Sequence, residues 1–519
     1  MDRRRFLGGA AALGVGFSVA GLSACGDDEA AAPRSSPATT AALGGADTGD
    51  VPAGAVDDLA RQLRGTVLRP GDAGYDAVTN PANGRYKGTR PAVVAQVADD
   101  EDVATAIRWA DEHGVPPVGR GGGHSYAGFS TTEGLLVDLG ALAGVEIDPS
   151  SGTAVVGGAA KNRDLFDATV DTGLFLPGGT CLGVGVGGLV LGGGIGYNAH
   201  WAGLTSDRLR ASQIVVASGE LLELDASTNE DLFWACRGGA GGSFGINTRF
   251  TFELVEVPST PVTFYRYEWR GADAAAQVLR AFDDICQSAP AALNAVAMGQ
   301  AVPDDGAGPR EAITVMSRGQ FIGPADELRD VIAPLLAVAD PTHAELEEMG
   351  FWDAQRIFAS DEAEQHSWGD VSRYSDRALP DDAIAAWVDL LAACPHRSDD
   401  ANGSVWSLGW VGGDVVNAVG RTETAYVHRG ASTLLRPTIV WPDDAPASVG
   451  EELMAWADEC IAAVAPHTPN ESYQNFPNRR IEDWAEQYYA ENLDRLVDVK
   501  TAHDPRNLFN NPQSIPVRS

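Results

Sequence analysis

Of the 60 glycines in this chain, 21 fall in three short stretches: five in 119–128, eleven in 178–203 and five in 238–245. Interior glycines weaken helices and strands, so a chain that concentrates them there is not building regular elements. Successive glycines let a backbone approach a ligand closely and turn several N–H groups toward one anion. The three stretches are therefore expected to be loops around a flat, bulky ligand. None is the dinucleotide fingerprint, because no Gly-X-Gly-X-X-Gly follows a leading strand with an acid about 20 residues on, and no phosphate-loop lysine is present. The first stretch, Gly119-Arg120-Gly121-Gly122-Gly123-His124-Ser125-Tyr126-Ala127-Gly128, ends in an imidazole, a hydroxyl and a phenol. The second surrounds Cys181 and runs through Val184, Gly187, Gly188 and Gly194 to Tyr197. The third, from Arg237 through Gly242 to Ile246, opens a long alternation of apolar residues ending at Val257.

The first 24 residues are expected to be an export signal. Arg3-Arg4-Arg5-Phe6-Leu7 precedes a Gly/Ala-rich run to Gly21 that is too short and too weakly apolar for a comfortable membrane span. The pattern resembles the twin-arginine signal, whose pathway carries folded proteins. Leu22-Ser23-Ala24-Cys25 has the form of a lipoprotein processing box, with Cys25 as the acylated residue. Residues 25–55, poor in large apolar side chains, read as a tether. The protein is thus placed outside the cell, at the surface or in the periplasm, touching membrane only through its lipid anchor.

A length of 519 residues exceeds what one core supports. A formal charge of −35 leaves no basic footprint for nucleic acid and tilts the expectation toward neutral or cationic substrates. No cysteine spacing suggests a metal site. Pairing among Cys236, Cys286, Cys394 and Cys460 stays open.

Periodicity gives an α+β body. It predicts a strand at 91–97, helices at 102–113 and 162–172, and a strand pair over 213–225 turning at Ser218-Gly219. Pro258 and Pro261 mark a boundary. Beyond it, strand-like stretches at 262–269, 312–321, 405–411 and 422–440 alternate with helices at 273–288, 325–338 and 449–465, antiparallel in character. Residues 481–499 have the spacing of one amphipathic helix.

The three loops in this order, with His124 and Cys181, resemble the flavin domain of the p-cresol methylhydroxylase and vanillyl alcohol oxidase superfamily. The ending Tyr473-Gln474-Asn475-Phe476, then Tyr488-Tyr489, Asn492, Asn507 and Gln513-Ser514-Ile515-Pro516, is similar to the berberine bridge enzyme-like oxidases. The resemblance implies a two-part FAD-binding domain (56–258), an α+β substrate domain with an antiparallel sheet (259–470), and a C-terminal segment (471–519) that returns to the FAD domain. It implies FAD bound covalently through His124 and Cys181, with further contacts from Arg120, Gly121, Gly122, Gly123, Ser125, Val184, Gly187, Gly188, Gly194, Gly242, Ile246, Asn475 and Asn507. Two attachments would raise the flavin's potential and prevent its loss outside the cell.

The family's usual base is a tyrosine at the position of Phe476, and phenylalanine cannot take a proton. Tyr473 and Tyr126 are the candidates for that role; a carboxylate or His428 from the second domain is another source. Trp406, Trp410, His428 and Arg436 stand on stretches that could line a substrate pocket. The resemblance places Val184, three residues after the cysteine, over the flavin, where a small side chain admits oxygen, and so implies an oxidase using O2. The expected reaction is oxidation of a small-molecule alcohol of sugar or natural-product type. A dehydrogenase passing electrons to a quinone or redox protein, and a non-catalytic flavin-containing binding protein, are the alternatives.

Overall fold

The computed structural model describes residues 51–359, 366–398 and 403–518. The expected signal, Cys25 and nearly all of the tether lie outside the described residues. The helix Ala53–Gln62 begins inside the stretch expected as tether and buries Val56 and Leu59, so the folded body starts earlier than composition suggested.

The architecture is mixed α+β, as expected, and rests on three substantial sheets. In the first, Val93–Gln96, Leu135–Asp138 and Pro117–Arg120 run parallel, with Leu135–Asp138 in the middle and Thr66–Leu68 antiparallel on the edge. The helix Asp100–His113 connects two of them. Its Asp99 cap accepts from the Asp102 N–H and Gly114 closes it in the left-handed region, the start and stop that a helix at this place requires. The second sheet is five-stranded and antiparallel, in the order Val145–Asp148, Thr153–Gly157, Gly245–Glu253, Leu209–Val216, Leu221–Asp225. Its central strand is the apolar alternation that follows the third glycine stretch.

The third sheet is antiparallel throughout. Its order is His343–Met349, Val262–Arg270, Ile313–Ile322, Leu293–Ala301, Val405–Trp410, Thr433–Pro442, His366–Asp370, with Arg373–Ser375 also paired to Thr433–Pro442. One face packs on the helices Ala272–Cys286, Asp381–Ala392 and Ala447–Val464, with Trp387, Trp406, Leu408, Leu435 and Ile439 in that core. Because side chains alternate along a strand, the intervening residues face the other way, toward the glycine loops. The chain then returns: Tyr488, Tyr489, Leu496 and Ile515 pack in one core with Phe250 and Phe252 of the second sheet.

Three expectations need correction. Residues 422–432 are not strand; only Thr433–Pro442 is. The Tyr426 N–H donates to the Arg237 carbonyl oxygen at 3.0 Å, and Arg429 turns inward to Asp207, so this segment serves the third glycine stretch instead of the sheet. The helix expected over 325–338 divides into Ala325–Val331 and Ala333–Leu336, with Pro334 at the start of the second. The helix expected over 481–499 is two, Trp484–Tyr489 and Leu493–His503, separated where Ala490 takes φ of 40°.

Among the described residues no two cysteines form a disulfide. Burial pushes the Cys236 thiol up to about 12, so it stays protonated and inert.

Candidate active site

A cavity of about 530 Å³ lies between the glycine loops and the inner face of the antiparallel sheet. The first loop leaves the carboxyl end of the parallel strand Pro117–Arg120, the end at which open sheets commonly present ligands. His124, Ser125 and Tyr126 line the cavity from this loop, Cys181 and Val184 from the second, and Ala240 to Gly242 from the third. Tyr473 to Pro477 and Phe509 to Asn511, from the returning C-terminal segment, complete the wall.

Of the residues singled out from sequence, Gly121, Gly122, Gly123, Gly187, Gly188, Gly242, Ile246 and Asn475 also line it. Arg120, Gly194 and Asn507 do not. Arg120 is buried and turned away, its Nε donating to the Ser130 carbonyl oxygen at 2.8 Å and its Nη1 to that of Val78 at 2.6 Å. The Gly194 N–H is used by Tyr473, at 3.0 Å from the phenol oxygen. Asn507 sits in a turn at φ of 54°.

Many loop glycines serve contact between loops. A Cβ on Gly122 would strike the Gly185 backbone nitrogen, and one on Gly121 would come within 2.8 Å of the Gly158 carbonyl oxygen. Others leave ligand space open: at Gly188 a Cβ would meet nothing within 4 Å, and at Gly242 only the Asn511 amide nitrogen at 3.9 Å.

Arg436, on the strand Thr433–Pro442, dominates the electrostatics. Its Nε and Nη2 donate to the two Asp370 carboxylate oxygens at 2.8 and 2.9 Å, a bidentate pair. The Thr438 hydroxyl donates to the same carboxylate at 2.6 Å. Asp370 has no exposed side-chain surface, and burial raises its pKa despite Arg436 and Thr438 pulling the other way. Arg436 Nη2 also donates to the Tyr126 hydroxyl at 3.0 Å, and the guanidinium carbon lies 3.9 Å from the centre of the Phe476 ring. Tyr126 packs edge-on against Phe476 at 5.1 Å and against His124 at 5.8 Å, and Trp368 closes the group at 5.1 Å from the His124 ring.

Tyr473 is buried, yet three N–H donors converge on its oxygen: Gly194 N at 3.0 Å, Ile195 N at 3.3 Å and Asn475 Nδ2 at 3.1 Å. Burial raises the phenol's pKa, and these donors, with Arg436 nearby, oppose the rise.

Of the four residues expected to face a pocket, Trp410 and Arg436 do. Trp406 points into the helix-side core, stacked on Trp387 at 5.4 Å. His428 lies behind the wall, between Glu471 at 2.8 Å and the Gln474 amide oxygen at 3.1 Å. Asp370, Trp368 and Arg318 were not foreseen. In a chain with 72 acidic residues one aspartate carries no sequence signal, and the other two stand in strands with no motif around them.

Residues 91–225 match the family described as FAD binding domain, and residues 472–516 match the family described as berberine and berberine like. The FAD-linked oxidoreductase YgaK of Bacillus subtilis is 30% identical over 88% of this chain and 97% of its own. Glucooligosaccharide oxidase of Sarocladium strictum is 28% identical over 82% of this chain and 87% of its own. Among solved structures, a variant of BBE-like 1 from Physcomitrella patens superposes with a TM-score of 0.80 at 25% identity, covering 89% of this chain and 99% of that one.

Proposed function

Given that the chain belongs to the berberine bridge enzyme-like FAD-linked oxidoreductases, we propose that it is an exported oxidase of sugar-type alcohols, carrying FAD attached through both His124 and Cys181. The observation that carries this reading is that His124 and Cys181, from two different loops, line one cavity together with Tyr126, Tyr473 and Arg436. The open ground at Gly188 and Gly242 suits a large flat group, since a side chain there would occupy its space. An imidazole and a thiol are the nucleophiles such attachments need. When bound, FAD supplies the two-electron oxidant that takes hydride from the carbinol carbon.

The chain's own residues then have separate tasks. Tyr473 Oη receives the hydroxyl proton. A neutral phenol oxygen accepts fewer hydrogen bonds than an ionised one, so three converging donors suit the phenolate. Arg436, fixed by Asp370 and Thr438, holds Tyr126, and the Tyr126 hydroxyl orients the substrate oxygen. Phe476 contributes an apolar face beneath Arg436. The antiparallel sheet keeps bulk water from the reacting carbon. Val184, small and apolar on the wall, supports O2 as the final acceptor, with hydrogen peroxide as the product. Sugar-type substrates are supported by the likeness to an oxidase named for glucooligosaccharides. Export and lipid anchoring rest on Arg3 to Leu7 and on Leu22 to Cys25.

Anaerobic mixing with a panel of oligosaccharides and alcohols tests the activity: a substrate bleaches the flavin, and admitted air restores it within the turnover time. Acid precipitation tests the linkage, with the yellow colour expected in the pellet. Colour that washes wholly into the supernatant, for the wild type as for His124→Ala, would remove the covalent claim.

A further inference from the structure

The cavity wall facing the glycine loops is one face of the antiparallel sheet, and the strand register fixes its layout. One row runs Arg318, Val296, Gly409, Leu434 across four neighbouring strands, each residue directly opposite the next. The adjacent row runs Met316, Met298, Ser407, Arg436. The two arginines therefore stand at opposite ends of the floor.

Their partners differ. Arg436 is matched by Asp370. Arg318 donates through Nε to the Tyr197 hydroxyl at 3.3 Å and lies 5.8 Å from that ring, and among the described residues no carboxylate pairs with it. No described Asp or Glu lines the cavity at all, in a chain whose net charge is −35. Between the arginines, a Cβ on Gly409 would meet only the Leu434 carbonyl oxygen at 3.8 Å, so packing does not require glycine there. Its missing side chain leaves a hollow in the floor.

We infer that Arg318 determines specificity by binding a carboxylate on the substrate, across the Gly409 hollow from the Tyr126–Arg436 end. This rests on the reading of the cavity as the site of alcohol oxidation. An unpaired guanidinium in a partly desolvated cavity favours a planar anion that it can grip with two N–H groups. Three strand spacings of about 4.8 Å, about 14 Å in all, separate the two ends, roughly the length of two to three linked sugar rings. The substrate class is therefore an acidic disaccharide or longer oligosaccharide, with its carboxylate on a ring other than the one oxidised. The acidity of the chain as a whole, which favours neutral or cationic ligands at a distance, does not extend into this cavity.

The test compares cellobiose with cellobiouronate, the same disaccharide with a carboxylate at C6 of the distal ring, using the flavin-loaded enzyme. The acid is expected to have the higher kcat/KM by about tenfold or more, chiefly through KM. Arg318→Met should erase that ratio and Arg318→Lys should keep part of it. Calorimetric titration with benzoate and with benzamide runs beside it and needs no turnover. Wild type should bind benzoate more tightly than benzamide, and Arg318→Met should bind it about tenfold more weakly. If neither sugar bleaches the flavin, the proposed activity on oligosaccharides fails, and the titration alone decides the anion site. Benzoate that binds no better than benzamide, or equally well to Arg318→Met, overturns the assignment. So does an acid-to-neutral ratio that the substitution leaves unchanged.

Discussion

Arg436 and Tyr126 are joined by a hydrogen bond of 3.0 Å from a guanidinium nitrogen to a phenol oxygen, across the boundary between the antiparallel sheet and the first glycine loop. The same guanidinium lies against Phe476 and is anchored by buried Asp370. Through it, the sheet and the first loop share one charged group.

Replacing Tyr126 with phenylalanine removes the oxygen that Arg436 donates to, which is also the hydroxyl proposed to orient substrate. A hydrogen bond to a charged group contributes about 1.5–3 kcal/mol, so kcat/KM for flavin bleaching should fall about 10- to 100-fold. Flavin content, measured by absorbance, should not change. A loss below about threefold would take Tyr126 out of the reaction.

Tyr473 must be ionised to accept a proton, and burial holds its pKa above the ordinary phenol value. The rate of anaerobic bleaching should therefore climb with pH through the alkaline range instead of levelling off near neutrality. Tyr473→Phe should lower that rate by about 10²- to 10⁴-fold and flatten the climb. Phe476→Tyr places a second phenol under Arg436, and the climb should then begin at lower pH.

Gly122→Ala would drive a Cβ into the Gly185 backbone. Neither loop can retreat without giving up the wall of the cavity. The expected cost is about 3 kcal/mol of stability, read as a lower denaturation midpoint, with less flavin retained after purification.

Asp283 lies fully buried beside the helix-side core and accepts from the Leu379 N–H at 2.6 Å, and burial raises its pKa to about 6. An aspartate whose folded value is raised holds its proton longer when folded than when unfolded. Its contribution is most favourable below about pH 4 and is lost as pH rises through about 6. Asp283→Asn should therefore match wild type near pH 4 and be more stable at pH 7, by up to about 2–3 kcal/mol. Urea midpoints at the two pH values measure the difference.

Most of the residues singled out from the sequence line the cavity, but for a reason only partly understood there. Glycine clustering was read as close approach to a ligand. In the structure Gly121, Gly122 and Gly185 first let two loops pack backbone to backbone, and only positions such as Gly188 and Gly242 leave ligand space. Both needs write the same letter. Strand alternation located the sheet but not which of its faces met the loops: Trp406 and Trp410, four residues apart, share the helix-side face, and Trp410 touches the cavity because it is the last residue of its strand. Asp370 and Arg318 were invisible because their significance lies in what stands opposite them across other strands, and register is not written in any one strand's own sequence. The broken helix near Ala490 escaped notice because apolar spacing continues smoothly across the break.

The cavity wall is supplied in an order that matters for assembly. His124, Cys181 and the third loop are synthesised before the antiparallel sheet, yet Tyr473 to Pro477 and Phe509 to Asn511 close the same wall and come after it. A chain still emerging from the ribosome has both nucleophiles but no closed pocket to grip a cofactor between them. If flavin attaches as proposed, attachment would be a late step. Under that proposal, a chain whose final segment had not packed back against the second sheet would lack the wall from Tyr473 to Pro477, so colour retained after acid precipitation would report a chain that has finished folding.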